Sequence, residues 1–292
     1  MTRLLLDLTD ISNSDISFKI SKFPDGQQSV SITGGFDGNE TIQLSSRMNS
    51  FKDIELIICA NQALKEMGAK NVELYVPYFL GARSDRKFEK GQTNYLKNVI
   101  CPIINSQGFS KVIVMDPHSD VLEACLTNFH KIDNIRLVDE ALSYLIKEDE
   151  DNKVALISPD AGALKKIYDV AKHFGISNVT TASKVREMST GTILRTELPT
   201  MDLDGIEHIV IIDDICDGGR TFIELAKVIK EQTDKPIYLI VTHGIFSAGF
   251  EKLSDELTGI FCTDSIKVID PEIVKVQTKD GNVDFVKQIS VF

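Results

Sequence analysis

The sequence predicts an α/β protein in which mainly parallel sheets are flanked by helices on both faces, arranged as two domains or two similar halves. Three observations predict this. Short apolar strands alternate with helical patterns along most of the chain, the order that builds parallel sheets with crossover helices. The run Val210-Ile-Ile-Ile-Asp213-Asp214-Ile-Cys-Asp217-Gly218-Gly219-Arg220-Thr221-Phe222 passes from β-branched residues through acids and glycines into an apolar helical pattern. It reads as a buried strand, a tight turn and a helix start. Finally, 292 residues are enough to bury a substantial core in more than one domain.

Residues 55–69 carry apolar side chains at helical spacing and stop near Gly68; residues 71–76 then read as a strand. A second helix is expected over 92–107, ending at Gly108, followed by a strand over 111–115. A strand over 153–157 leads through Pro159-Asp160-Ala-Gly162 into an Ala/Lys-rich helix reaching His173. A short strand at 179–182 follows, then the strand 206–212, the helix 222–232, and further strands at 237–242 and 260–262. The first fifty residues show polar alternation (Gln28-Ser-Val-Ser-Ile32) and Gly34-Gly35, suggesting antiparallel strands and turns. Asp280-Gly281 between apolar runs predicts a terminal hairpin. The acidic turn 149–153 marks the expected boundary between domains 1–148 and 149–292.

A hydrophobic fraction of 42% and a charged fraction of 26% are ordinary for a soluble globular protein. The net charge of -11 argues against a surface that coats nucleic acid, which is usually basic. No stretch reaches membrane-spanning length, and Met-Thr-Arg-Leu-Leu-Leu-Asp lacks the apolar run of a signal peptide. Cys59, Cys101, Cys125, Cys216 and Cys262 are scattered without paired spacing, so buried free thiols in a reducing, cytoplasmic setting are expected.

Chemistry-bearing groups cluster at strand ends. After the strand at 206–212, glycines allow close backbone approach and a helix start favours an anion. Asp213, Asp214 and Asp217 can accept hydrogen bonds from sugar hydroxyls or help hold a metal. Together with Gly218, Gly219, Arg220 and Thr221 they read as a site for a phosphorylated sugar. The bland alternative is a solvated acidic turn, but three acids this close repel one another unless a cation, donors or a ligand intervene. Met115-Asp116-Pro117-His118 and Ser158-Pro159-Asp160-Ala161-Gly162 also follow strands. Magnesium needs only one or two protein ligands beside substrate phosphates, and His118 with Asp160 would supply them. The stretch 81–91 packs four cations into eight residues, a pattern suited to a polyphosphate or to a solvated loop. Lys184 and Arg186 alternate on a short strand; flanking a transferring phosphoryl group is the sharp reading.

Taken in order, these segments resemble the phosphoribosyl pyrophosphate synthetases, within the type I phosphoribosyltransferase superfamily. Phe23-Pro-Asp25-Gly26-Gln27 is similar to that family's Phe-x-Asp-Gly-Glu, and Pro77-Tyr-Phe-Leu-Gly-Ala-Arg83-Ser84-Asp85-Arg86-Lys87 to its Pro-Tyr-x-x-Tyr-Ala-Arg-Gln-Asp-Arg-Lys. Met115-Asp-Pro-His118, Ser158-Pro-Asp160-Ala-Gly, Lys184-Val-Arg186 and Thr242-His-Gly-Ile-Phe-Ser247 fall where the family has nearly the same strings. The resemblance implies two phosphoribosyltransferase-like domains, an ATP side at 1–148 and a ribose-phosphate side at 149–292, each with a five-stranded parallel sheet. It implies transfer of the β,γ-pyrophosphate of Mg-ATP to the anomeric hydroxyl of ribose 5-phosphate, releasing AMP. By similarity, Asp213, Asp214 and the turn 217–221 hold the ribose phosphate, His118 and Asp160 bind Mg2+, and Lys184 and Arg186 are catalytic. Arg83, Ser84 and Asp85 contact ATP; Phe23, Asp25 and Gln27 reach it from a neighbouring subunit of a dimer-based homo-oligomer, a hexamer in the family.

The departures are informative. The family's Asp-Thr-x-Gly-Thr turn is here Asp217-Gly218-Gly219-Arg220-Thr221. Losing a threonine opens space, and Arg220 adds a guanidinium able to grip a second phosphate. A larger acceptor, a ribose 5-phosphate ester such as ADP-ribose, is therefore an alternative. Gln27 and Ser84 replace a Glu and a Gln, and Thr33-Gly34-Gly35 stands where the family has Val-Arg-Gly. That puts adenine recognition and phosphate/ADP regulation in question. A non-catalytic regulatory subunit of the same fold is the alternative from another class, although such relatives tend to lose the Lys/Arg pair retained here. A simple phosphoribosyltransferase would leave the ATP-loop resemblance unexplained.

Overall fold

The computed structural model describes residues 3–87, 89–146, 153–186, 193–278 and 281–292, giving the backbone alone for 184–186, 193–194, 273–278 and 281–283. The chain forms two compact units, Met1–Asp133 with Val291–Phe292, and Asn134–Ser290. The boundary expected at 148/149 lies outside the described residues.

In the first unit, β1 (Arg3–Asp7), β4 (Thr41–Ser45), β5 (Asn71–Tyr75), β6 (Lys111–Met115) and β7 (Phe129–Ile132) form one sheet in that order, every pair parallel. The antiparallel reading of the first fifty residues holds only for the ribbon β2 (Phe18–Lys22) and β3 (Gln28–Ile32). β1 and β4 join the parallel sheet because their alternate residues Leu6, Ile42 and Leu44 are fully buried against helix α1 (Phe51–Glu66). That helix starts where Asp53 accepts from the Ser50 backbone N–H at 2.8 Å, and ends ahead of Gly68 at φ +96°. The expected 92–107 helix is shorter: a π-helical turn, Leu96–Ile100, feeds α2 (Cys101–Asn105). A short α3 (Val121–Cys125) precedes β7. Neither α3 nor β7 shows enough periodicity over four or five residues to be read from sequence.

The second unit is built on a six-stranded, all-parallel sheet instead of five. Its strands are β8 (Val154–Ser158), β9 (Val179–Thr181), β12 (His208–Cys216), β13 (Ile237–Gly244), β14 (Gly259–Thr263) and β17 (Val286–Ile289), in the order β17-β14-β13-β12-β8-β9. The sixth is β17, which follows the antiparallel pair β15 (Lys275–Thr278) and β16 (Gly281–Asp284) expected near the C-terminus. The amphipathic helices α4 (Ile135–Leu145) and α5 (Leu164–Phe174) cover one sheet face, with Val210, Ile212 and Ile240 in their core. The other face, with Ile209, Ile211 and Val241, packs on α6 (Arg220–Lys230) and α7 (Glu251–Ser254). A separate antiparallel pair joins β10 (Ser183–Arg186) to β11 (Ile193–Glu197). The central strand β12 runs four residues past the expected end at 212, so Asp213 and Asp214 belong to the strand. Strands buried on both faces need continuous apolar sequence, and Ile209-Val-Ile-Ile212 supplies it. All five cysteines are free thiols, three of them buried.

Candidate functional site

Strand order in the second unit fixes where a ligand belongs. From β8 the chain moves outward to β9, then returns to place β12 on the other side of β8 and continues through β13 and β14. The order reverses between β8 and β12. In open parallel sheets, the carboxyl ends of the strands at such a reversal leave a crevice that no crossover fills, and ligands bind there. Asp160 follows β8, and the acids with their glycine turn close β12.

The turn itself is tightly determined. Gly219 is left-handed, φ +78°, and a Cβ there would meet Leu253 Cδ2 at 2.9 Å. Its carbonyl accepts from the N–H groups of Phe222 and Ile223, both at 3.0 Å, to begin α6. At Gly218 a Cβ would meet only Ser247 Oγ, at 3.9 Å. The segment 242–247 braces this turn: the Ile245 N–H donates to Cys216 O at 2.9 Å and the Ser247 hydroxyl to Asp217 Oδ1 at 2.6 Å. Phe246 holds φ +47° with its ring buried against Gly244, where a Cβ would approach within 2.2 Å. Such backbone strain persists only where packing over-determines it, and it concentrates at functional sites. This brace was visible in sequence only as a matching string, because its role depends on contacts some thirty residues away.

Charge is concentrated beside the turn. Burial, the neighbouring Asp214 and then Asp160 drive the Asp213 carboxyl well above the usual carboxylate range. Asp214 is 6% exposed, and Lys166 Nζ lies 3.9 Å from its Oδ1. Asp160 Oδ1 accepts from the Gly162 N–H at 2.9 Å and the Ala163 N–H at 3.3 Å, shaping the start of the loop. Arg220 is exposed at the first position of α6, and Thr221 is half-buried behind it. The structure thus brings Asp160, Asp213, Asp214, Asp217 and the 218–221 turn to one sheet edge. Lys184 and Arg186 lie on β10, where register with β11 shifts between Val185 and Arg186; their side chains are outside the described residues. Lys166 was not singled out from sequence. The available signal was its place beside the buried stripe Ile167, Val170 and Ala171, an uncommon position for a lysine.

In the first unit, Arg83 is exposed, Ser84 half-buried and Asp85 5% exposed. Burial raises the Asp85 carboxyl, but the nearby Ser119 hydroxyl, the hydrogen bond from Arg86 and the charges of Arg86 and His118 outweigh it and hold the group below its usual range. The loop is formed by Gly81 at φ +85° and by Asn94 Nδ2 donating to Asp85 O at 2.6 Å. His118 is exposed after the buried Asp116, whose φ is +39°. Phe23, Asp25 and Gln27 lie in the loop joining β2 to β3, all exposed. The Phe23 N–H donates to Gln27 O at 2.8 Å across that loop. Among the described residues, no three His, Cys, Asp or Glu side chains form a metal-ligand set. Magnesium does not require one, and the crowded acids around Asp213 are the environment a divalent cation relieves. No helix among the described residues is long and apolar enough to cross a membrane.

A parallel-sheet unit with acids and a glycine turn at its strand-order reversal defines an α/β protein with a ligand crevice at the carboxyl edge of that sheet. The model of the phosphoribosyl transferase domain family matches residues 127–274, and the chain belongs to that family. It is 27% identical over 268 residues to a ribose-phosphate pyrophosphokinase of Pyrococcus abyssi (strain GE5 / Orsay), covering 91% of this chain and 88% of that one. A ribose-phosphate pyrophosphokinase of Pasteurella multocida (strain Pm70) is 25% identical, covering 96% and 87%. The crystal structure of phosphoribosylpyrophosphate synthetase from Mycobacterium smegmatis matches the fold with a TM-score of 0.78 at 16% identity, over 100% of this chain and 95% of that one. The family resemblance read from the motifs is borne out.

Proposed function

We propose that this chain is an ATP-dependent ribose-phosphate pyrophosphokinase. The observation that carries this reading is the placement of Asp160 and the 213–221 segment at the strand-order reversal of a phosphoribosyltransferase-type sheet. The relatives bearing that activity in their names match along nearly the whole chain. In this reading the anomeric oxygen of the acceptor bonds to the β-phosphorus of ATP as the bond from that phosphorus to the AMP oxygen breaks. Asp213 and Asp214 receive the ribose hydroxyls, and the turn 217–221 with the start of α6 receives the 5-phosphate. Lys184 and Arg186 stabilise charge on the transferred group. Arg83, Ser84 and Asp85 bind ATP, with Phe23, Asp25 and Gln27 contributed by a second copy in a homo-oligomer. Magnesium, with Asp160 and His118 as its protein ligands, supplies charge neutralisation of the phosphates. Retention of both Lys184 and Arg186 favours an enzyme over a regulatory subunit.

A second reading of the acceptor rests on the turn. Gly218 leaves space, and Arg220 presents an exposed guanidinium at the helix start. A diphosphate ester such as ADP-ribose would gain a bidentate contact there. Supplying ATP, magnesium, ribose 5-phosphate and ADP-ribose in competition, and following AMP and both pyrophosphorylated products by mass spectrometry, tests both readings. AMP formation that requires neither acceptor, or none at all, overturns the first. A strong preference for plain ribose 5-phosphate overturns the second, as does an Arg220→Gly variant that uses ADP-ribose as well as the parent.

A further inference from the structure

Lys166 is a cation that the reaction, as read above, has not used. It lies on α5 beside the buried Ile167 and Val170, with its side chain only 20% exposed, and its ammonium approaches Asp214 Oδ1 at 3.9 Å. Consecutive strand residues project to opposite faces of a sheet. Along β12 the apolar residues divide accordingly: Ile209 and Ile211 pack with α6, while Val210 and Ile212 pack with α4 and α5. Asp214 follows Ile212 by two residues and falls on the α5 side, where Lys166 meets it. The Asp213 carboxyl lies close enough to feel the Asp214 charge, so the cation from α5 reaches the buried acid pair through Asp214. A carboxylate withdrawn from water keeps its place only with such compensation.

We propose that Lys166 is a positioning residue for the acceptor sugar: it anchors the Asp214 carboxylate so that the acid pair presents a fixed set of acceptors to the ribose hydroxyls. The inference rests on the pyrophosphokinase reading for the identity of the sugar. A small displacement of a positioned group costs up to about 100-fold in transition-state binding. Lys166→Met is expected to raise the KM for ribose 5-phosphate about 10- to 100-fold, with the KM for ATP held within about threefold, and Lys166→Arg is expected to recover most of the loss. A purely structural role would move both substrates together and gain nothing from the arginine.

The test measures AMP formation for the parent and both variants with each substrate varied, and ribose 5-phosphate binding by calorimetry. An unchanged acceptor KM, parallel loss of both substrates, or a Lys166→Arg variant no better than Lys166→Met overturns the proposal. Should far-UV circular dichroism show Lys166→Met unfolded, Lys166→Gln against Lys166→Arg decides by the same criteria. If the parent forms no AMP, the pyrophosphokinase reading falls on its own. Calorimetry then decides on Lys166: weakened sugar-phosphate binding in the methionine variant sustains it, and equal or absent binding in both overturns it.

Discussion

Replacing Gly219 by alanine separates the turn's backbone requirement from its composition. Gly219 has φ +78°, and its missing Cβ faces Leu253, a side chain 1% exposed, at 2.9 Å. Placing an L-residue in the left-handed region costs about 1–2 kcal/mol. Displacing a packed leucine adds roughly 1–3 kcal/mol. Lost freedom of the unfolded glycine returns about 0.4–1 kcal/mol. The net penalty is about 1–5 kcal/mol, which for a unit of this size lowers Tm by roughly 3–18 °C. Gly218 is the internal control, because a Cβ there meets only Ser247 Oγ at ordinary contact distance, 3.9 Å. Gly218→Ala is expected to melt within about 2 °C of the parent. Thermal unfolding followed by circular dichroism measures both. A Gly219→Ala protein as stable as the parent, or a Gly218→Ala protein destabilised as far, would refute the assignment of the left-handed residue and of the turn built on it.

Two further outcomes are expected. Lys184→Ala should lower AMP release by about 10²- to 10³-fold with little change in the KM for ATP; unchanged release would remove Lys184 from its assigned role. Burial, then proximity to Cys125, pushes the Cys101 thiol from the ordinary 9.0 up to about 12, and burial pushes Cys262 up to about 12. The folded protein therefore holds these protons more tightly than the unfolded chain. Stability is intact below pH 9 and falls as pH rises toward 12. At pH 8 iodoacetamide should leave both cysteines unmodified until denaturant is added, as peptide mass spectrometry would reveal; rapid labelling of the native protein would contradict the burial.

Much of the candidate site was legible because its residues are contiguous. Val210 through Thr221 contains a strand, an acid pair, a glycine turn and a helix start in one stretch, each readable from local chemistry. What local pattern missed was either short or supported from afar. α3 and β7 are too brief to show a period, and the 92–107 pattern is interrupted by the π-helical turn at Leu96–Ile100. Lys166 and the 242–247 brace act through contacts made only when α5 and β13 lie beside β12.

By itself the sequence determined the alternation of strand and helix, the family, and the glycine turn after the acid pair, because β-branched runs, helical spacing and left-handed glycines are local requirements. Only the tertiary structure decided that the second sheet has six strands, that its order reverses between β8 and β12, and that Asp213 and Asp214 belong to the strand itself. Those outcomes depend on which apolar faces are buried together, and no window of neighbouring residues encodes that choice.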